Sequence, residues 1–70
     1  MNNKESADEL KALISYLVNH NESHTKELED LSVSLKESGN LDAYNDVMDA
    51  IKEYKKGNEK LSSSLEKLNR

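Results

Sequence analysis

The chain contains no cysteine, proline, tryptophan or phenylalanine, and it has only three tyrosines and two glycines. Without cysteine, neither a disulfide framework nor a thiolate metal site can staple the fold. No apolar run approaches the roughly 18–20 residues of a bilayer span, so no membrane partner is expected. The opening stretch, Met1 to Asp8, is polar and acidic, unlike a secretory signal peptide. With cysteine also missing, the cytoplasm is the expected location. An excess of basic charge is lacking too. The formal net charge is −4, which disfavours nucleic acid as a partner because little counterion release is available.

What remains is a chain of 70 residues, 34% hydrophobic and 34% charged, a length that bounds it to one small domain. Residues 1–40 carry four lysines against eight acids, whereas residues 41–70 carry six charges of each sign. Within that second half the acids Asp42, Asp46 and Asp49 come first and the bases Lys52 to Arg70 come later, the order a helix dipole favours. A nucleic-acid patch over Lys52–Lys60 is the sharper reading of those lysines. Against it stand the interleaved Asp49, Glu53 and Glu59 and the lack of any aromatic beyond Tyr54.

Apolar residues recur at Leu10, Leu13, Ile14, Leu17, Leu28, Leu31 and Leu35, and again at Leu41, Tyr44, Val47, Met48, Ile51, Tyr54, Leu61, Leu65 and Leu68, with Asn58 in step. Steps of three and four are the helical period. Ser6 followed by Glu9 forms a capping-box signature, and Ser38-Gly39-Asn40 supplies a stop, with Gly39 free to turn left-handed and Asn40 placed to cap the next helix. The expected fold is therefore all-α: an antiparallel two-helix hairpin occupying 7–70, with helices about 7–38 and 41–68, behind a disordered segment 1–6. The stretch Val18–Thr25 is poor in helix formers, and a break there would give three helices. Continuity is preferred because the three-four step runs through it without Gly or Pro.

A turn centred near 39–40 sets Leu35 against Tyr44, Leu28 against Ile51, Leu17 near Leu61 and Leu10 near Leu68, and brings Glu27 and Asp30 beside Lys52 and Lys55. Two helices bury only the seam between them, and such a core seldom supplies more than about 3–5 kcal/mol. The apolar stripe is also wider than one seam needs. Pairing of two hairpins into a homodimeric four-helix bundle is the economical outcome. A weakly stable monomer, or another helical protein supplying the missing helices, is the alternative.

One constellation carries chemistry. His20 and His24 lie one turn apart on the stripe, where leucine would otherwise sit, and Glu27 follows on the next turn. Two imidazoles at this spacing can chelate a divalent transition metal such as zinc or nickel, with the carboxylate as third ligand. Equally, His20 and His24 can face Tyr54 and Asn58 as a hydrogen-bonded polar layer in the core that fixes register, or line a solvated cleft where the helices splay. The pattern is not the H-E-x-x-H of metalloproteases, since Glu22 sits between the histidines and faces elsewhere. Asn21-Glu22-Ser23 matches a glycosylation sequon by coincidence. No phosphate-binding glycine loop and no nucleophile-base-acid spacing is present, so no enzyme and no cofactor is expected.

The stretch His20-Asn21-Glu22-Ser23-His24 followed by Glu27-Leu28, with the later Tyr54-Lys55-Lys56-Gly57-Asn58-Glu59, resembles a small helical-hairpin family of unknown function. That family has an HNExH stretch in its first helix and a Gly-Asn step in its second. The resemblance spans roughly residues 8–68, implies the same α-hairpin and brings no activity with it. Where members often place aromatics before the first histidine, this chain has Leu17-Val18-Asn19. The functional expectation is a non-enzymatic protein working through helix-mediated self-association or protein–protein contact, with metal binding through His20 and His24 as the alternative.

Overall fold

The computed structural model describes residues 6–70, which form two antiparallel helices, α1 (Ala7–Glu37) and α2 (Leu41–Leu68). They pack along their length into a rod of 54 × 17 × 16 Å. No helix among the described residues is long and apolar enough to cross a membrane. The segment expected to be disordered lies outside the described residues except for Ser6. That residue is the N-cap of α1: its hydroxyl accepts from the Glu9 amide at 3.2 Å, and its own amide donates to the Glu9 carboxylate at 2.8 Å. This reciprocal box satisfies two of the amides that a helix start leaves without partners.

α1 is continuous through Val18–Thr25. Part of the reason is visible at Thr25, whose hydroxyl donates to the Asn21 carbonyl one turn back at 2.9 Å. A β-branched polar residue is thereby buried without an unpaired group. The exit follows the turn chemistry of the sequence. Gly39 sits at φ +82, its amide donates to the Lys36 carbonyl at 3.1 Å, and the Asn40 amide donates to Leu35 at 2.9 Å. These paired bonds, with a left-handed residue between them, form a Schellman stop. Asn40 departs from expectation. Its side chain makes no capping bond to α2 and donates instead to the Ser38 hydroxyl at 2.7 Å. Only its carbonyl engages α2, accepting from Tyr44.

The seam is where the packing differs most from the simple apolar stripe. On α1 the inward positions are Ile14, Val18, Asn21, Thr25, Leu28, Ser32 and Leu35, half-buried or buried. Their steps alternate four and three, the average period of 3.5 that keeps one face on a partner helix. Leu10, Leu13, Leu17 and Leu31 lie one position to the side and stay exposed, Leu13 at 48% and Leu31 at 46%. On α2 the expected stripe holds at Tyr44, Val47, Met48, Ile51, Asn58, Leu61 and Leu65, which turn inward, whereas Leu41, Tyr54 and Leu68 stay exposed. Ile51, at 4%, is the single buried hydrophobic residue among those described. The interhelical ion pair shifts accordingly: Lys55 meets Glu29 at 3.5 Å, rather than Glu27 or Asp30.

Changing Gly39 to alanine isolates the turn. Nothing lies within 4 Å of the added Cβ, so the cost is the left-handed backbone alone, about 1–2 kcal/mol. For a domain of this size that corresponds to a thermal midpoint lower by at least about 4 °C. Circular-dichroism melts should show this fall for Gly39→Ala and a smaller one for Gly39→Asn.

Candidate functional site

The polar residues of the middle third separate onto two faces. Asn58, on the inward face of α2, accepts a hydrogen bond from the Asn21 side-chain amide at 3.0 Å and donates to the Val18 carbonyl at 3.0 Å. Both asparagines are half-buried. A buried amide left unpaired costs about 1–3 kcal/mol, so Asn58 requires a polar partner opposite. Asn21 has the length and the donor to serve. Gly57 beside it has no neighbour within 4 Å of a built Cβ, so no close contact requires a glycine there.

The histidines occupy the adjoining face. The His24 Nε2 and His20 Nε2 atoms are 3.0 Å apart, and His24 Nδ1 lies 3.1 Å from the Glu27 carboxylate. A carboxylate only accepts, so His24 carries its proton on Nδ1. When both rings are neutral, its bare Nε2 accepts from the Nε2–H of His20. The result is a directed chain, His20 to His24 to Glu27. Around it the rings stack: Tyr16 lies over His20 with centroids 5.5 Å apart, His24 meets His20 edge-on at 4.4 Å, and Tyr54 reaches His24 from α2 at 6.1 Å.

The expected layer of His20, His24, Tyr54 and Asn58 is thus brought together only in part. Asn58 works inside the seam with Asn21, a residue the sequence reading had not placed there. His20 is exposed, His24 is half-buried, and Tyr54 stands at the rim. The cause is the rotation of α1 by one position, which puts 21 and 25 inward where 20 and 24 were expected. Among the described residues no three His, Cys, Asp or Glu side chains converge as a metal-ligand set. Glu27 is beside His24, but on the nitrogen turned away from His20, so it orients that ring rather than joining the pair's shared Nε2 side. The signal available for Asn21 was the matching register of the two asparagines about the turn, weighed too lightly against the leucine pattern.

On the other side of the seam an open groove of about 670 Å³ runs over Val18, Thr25 and Asn58 between walls carrying Glu22, Glu29, Glu59, Lys26 and Lys55. Charges of both signs alternate along it, so it gathers no net field for a charged ligand.

Such an arrangement defines an α-hairpin closed by a seam amide pair, with an exposed imidazole pair on one flank. The family model of a domain of unknown function, DUF8180, matches residues 10–68, and the chain belongs to that family. Neither the curated proteins nor the solved structures contain a match to it.

The amide pair has a measurable energetic signature. Asn58→Ala, leaving the half-buried Asn21 amide without its partner, should lower the unfolding free energy in urea by about 1–3 kcal/mol. The double variant Asn21→Leu/Asn58→Leu should lose clearly less than the two single leucine variants together. Strict additivity would mean the two amides act independently.

Proposed function

We propose that this chain is a non-enzymatic association module that works as a homodimer, two hairpins packing into a four-helix bundle. The observation that carries the reading is the division of the α1 leucines. Four of its nine large aliphatic side chains serve the in-chain seam, Leu10, Leu13, Leu17 and Leu31 stand open beside it, and Val33 is exposed on another face. Spaced at three and four or their multiples, the four leucines form one strip that continues through His20, His24 and Glu27 along the flank of the seam. Tyr54 and Leu68 of α2, each 37% exposed, border the same flank, Tyr54 by its contact with His24 and Leu68 by the antiparallel register opposite Leu10.

Two further features support a second copy as the occupant. A rod about 17 Å thick with, among the described residues, a single buried aliphatic residue has little core of its own, and a second layer of leucines is the direct remedy. The strip is also partly self-complementary. Turned about a two-fold axis level with residue 22, it sets Leu13 against Leu31 of the other copy and His20 against His24, as an isologous interface requires, while Leu17 falls opposite Glu27. On this reading the His20–His24 stretch serves both surfaces, Asn21 facing the in-chain seam and the histidines the interface between copies.

Sedimentation equilibrium of the full chain in EDTA tests it. The expected mass is twice the 7.9 kDa of one chain. Leu13→Glu and Leu31→Glu should weaken dimerisation at least tenfold while largely preserving far-UV helicity, because both side chains already stand about half in solvent within the hairpin. A monomeric wild type, or a dimer indifferent to both substitutions, would overturn the reading.

A further inference from the structure

We infer that the His20–His24 pair is half of a transition-metal site, completed by the same pair of a second copy. This rests on the dimer proposed above and specifies what its centre holds. Two imidazole Nε2 atoms bound to one zinc-class ion at about 2.0–2.1 Å are separated by about 2.9 Å when the ligand angle is square and by about 3.4 Å when it is tetrahedral. The observed separation of 3.0 Å falls within that span. The pair is thus set one turn apart with its two nitrogens at the separation a shared ion needs, a small ring rotation replacing the hydrogen bond between them with two bonds to the ion. Two ligands from one chain leave a zinc-class ion half coordinated, and no third His, Cys, Asp or Glu among the described residues converges to join them. The two-fold axis that matches Leu13 with Leu31 of the other copy places four imidazoles around one point, a complete tetrahedral set of borderline nitrogen ligands suited to Zn(II) or, with altered geometry, Ni(II) or Cu(II).

Glu27 has a defined part in this site. Its carboxylate accepts from His24 Nδ1, which holds the ring in the tautomer whose Nε2 lone pair is free, the carboxylate–histidine arrangement found behind metal ligands. His20 in the metal-free pair carries its proton on Nε2, donated to His24. When the ion binds, that proton leaves Nε2 and one is taken up at Nδ1 of the same ring from solvent. The tautomer changes, and no net proton is released by His20. Both rings then present bare nitrogen to the ion. The flanking tyrosines, Tyr16 over His20 and Tyr54 against His24, restrict ring rotation on either side.

Native mass spectrometry and calorimetric titration with zinc chloride, on the full chain stripped with EDTA and then freed of it, test the inference. One ion per two chains is expected, with a higher thermal midpoint. His20→Ala/His24→Ala should abolish both effects while leaving the EDTA-resistant dimer intact. Glu27→Ala should keep the stoichiometry and weaken affinity about tenfold or more. In the bound form, long-range ¹H–¹⁵N spectra should show both rings protonated at Nδ1. The interface variant Leu13→Glu/Leu31→Glu should lose at least a hundredfold in zinc affinity.

One ion per chain, zinc binding that survives the double histidine substitution, or affinity unchanged in the interface variant would each overturn the bridging site, as would no binding at all. The two proposals separate cleanly. A dimer that ignores zinc sinks the metal site alone. A chain that is monomeric in EDTA and pairs only with zinc through His20 and His24 sinks metal-free association and upholds the site.

Discussion

Asn58 stands on the inward face of α2 between Ile51 and Leu61, and its amide must be paired if the two helices are to close over it. Asn21 and the Val18 carbonyl provide that pairing at 3.0 Å each. An apolar contact can slide by a turn with little penalty, but an amide pair of this kind matches in one axial position, as buried asparagines do in coiled coils. The bond therefore fixes both how far α1 lies along α2 and how it is rolled about its own axis. Everything set by that roll follows: Thr25 and Ser32 go inward, His20 and His24 move to the flank, and four leucines are left outside.

The inward hydroxyls show why this roll is tolerated. Thr25 donates to the Asn21 carbonyl and Ser32 to the Glu29 carbonyl at 2.7 Å, so each is satisfied by its own helix and makes no demand across the seam. Small side chains at these points let the helices lie close, while Ile14, Val18, Leu28 and Leu35 supply apolar surface between them. The arrangement offsets a thinner core with a specified register. It also leaves Leu10, Leu13, Leu17 and Leu31 together on one flank around the imidazole pair, with Val33 and Leu41 exposed elsewhere. The opposite flank carries a groove lined by charges of both signs.

How much could be read beforehand depends on the range of the interaction. The Ser6–Glu9 box, the Gly39 stop and the continuous helical period depend on residues within one turn of each other, and these all stand in the structure as the sequence implies. The α2 stripe was largely legible because one strong apolar face admits one orientation, although Leu41, Tyr54 and Leu68 at its edges stay exposed. For α1 the pattern was ambiguous. Leu10, Leu13, Leu17 and Leu31 mark one line, and Ile14, Val18, Leu28 and Leu35 mark another roughly 100° away. Choosing the first line put the histidines inside. The deciding facts were the need of Asn58 for a partner and the ability of Thr25 and Ser32 to satisfy themselves, and neither enters a count of hydrophobic residues.

The sequence by itself determined that there are two helices, where they start and stop, that they fold back on each other and roughly which residues stand opposite, because caps, turn chemistry and periodicity are local. Only the tertiary structure decided which face of α1 is inside, and with it that His20 and His24 converge on the surface while Asn21 closes the seam. That choice is made by a hydrogen bond between residues 37 positions apart in the chain, whose value arises only when water is excluded from around it.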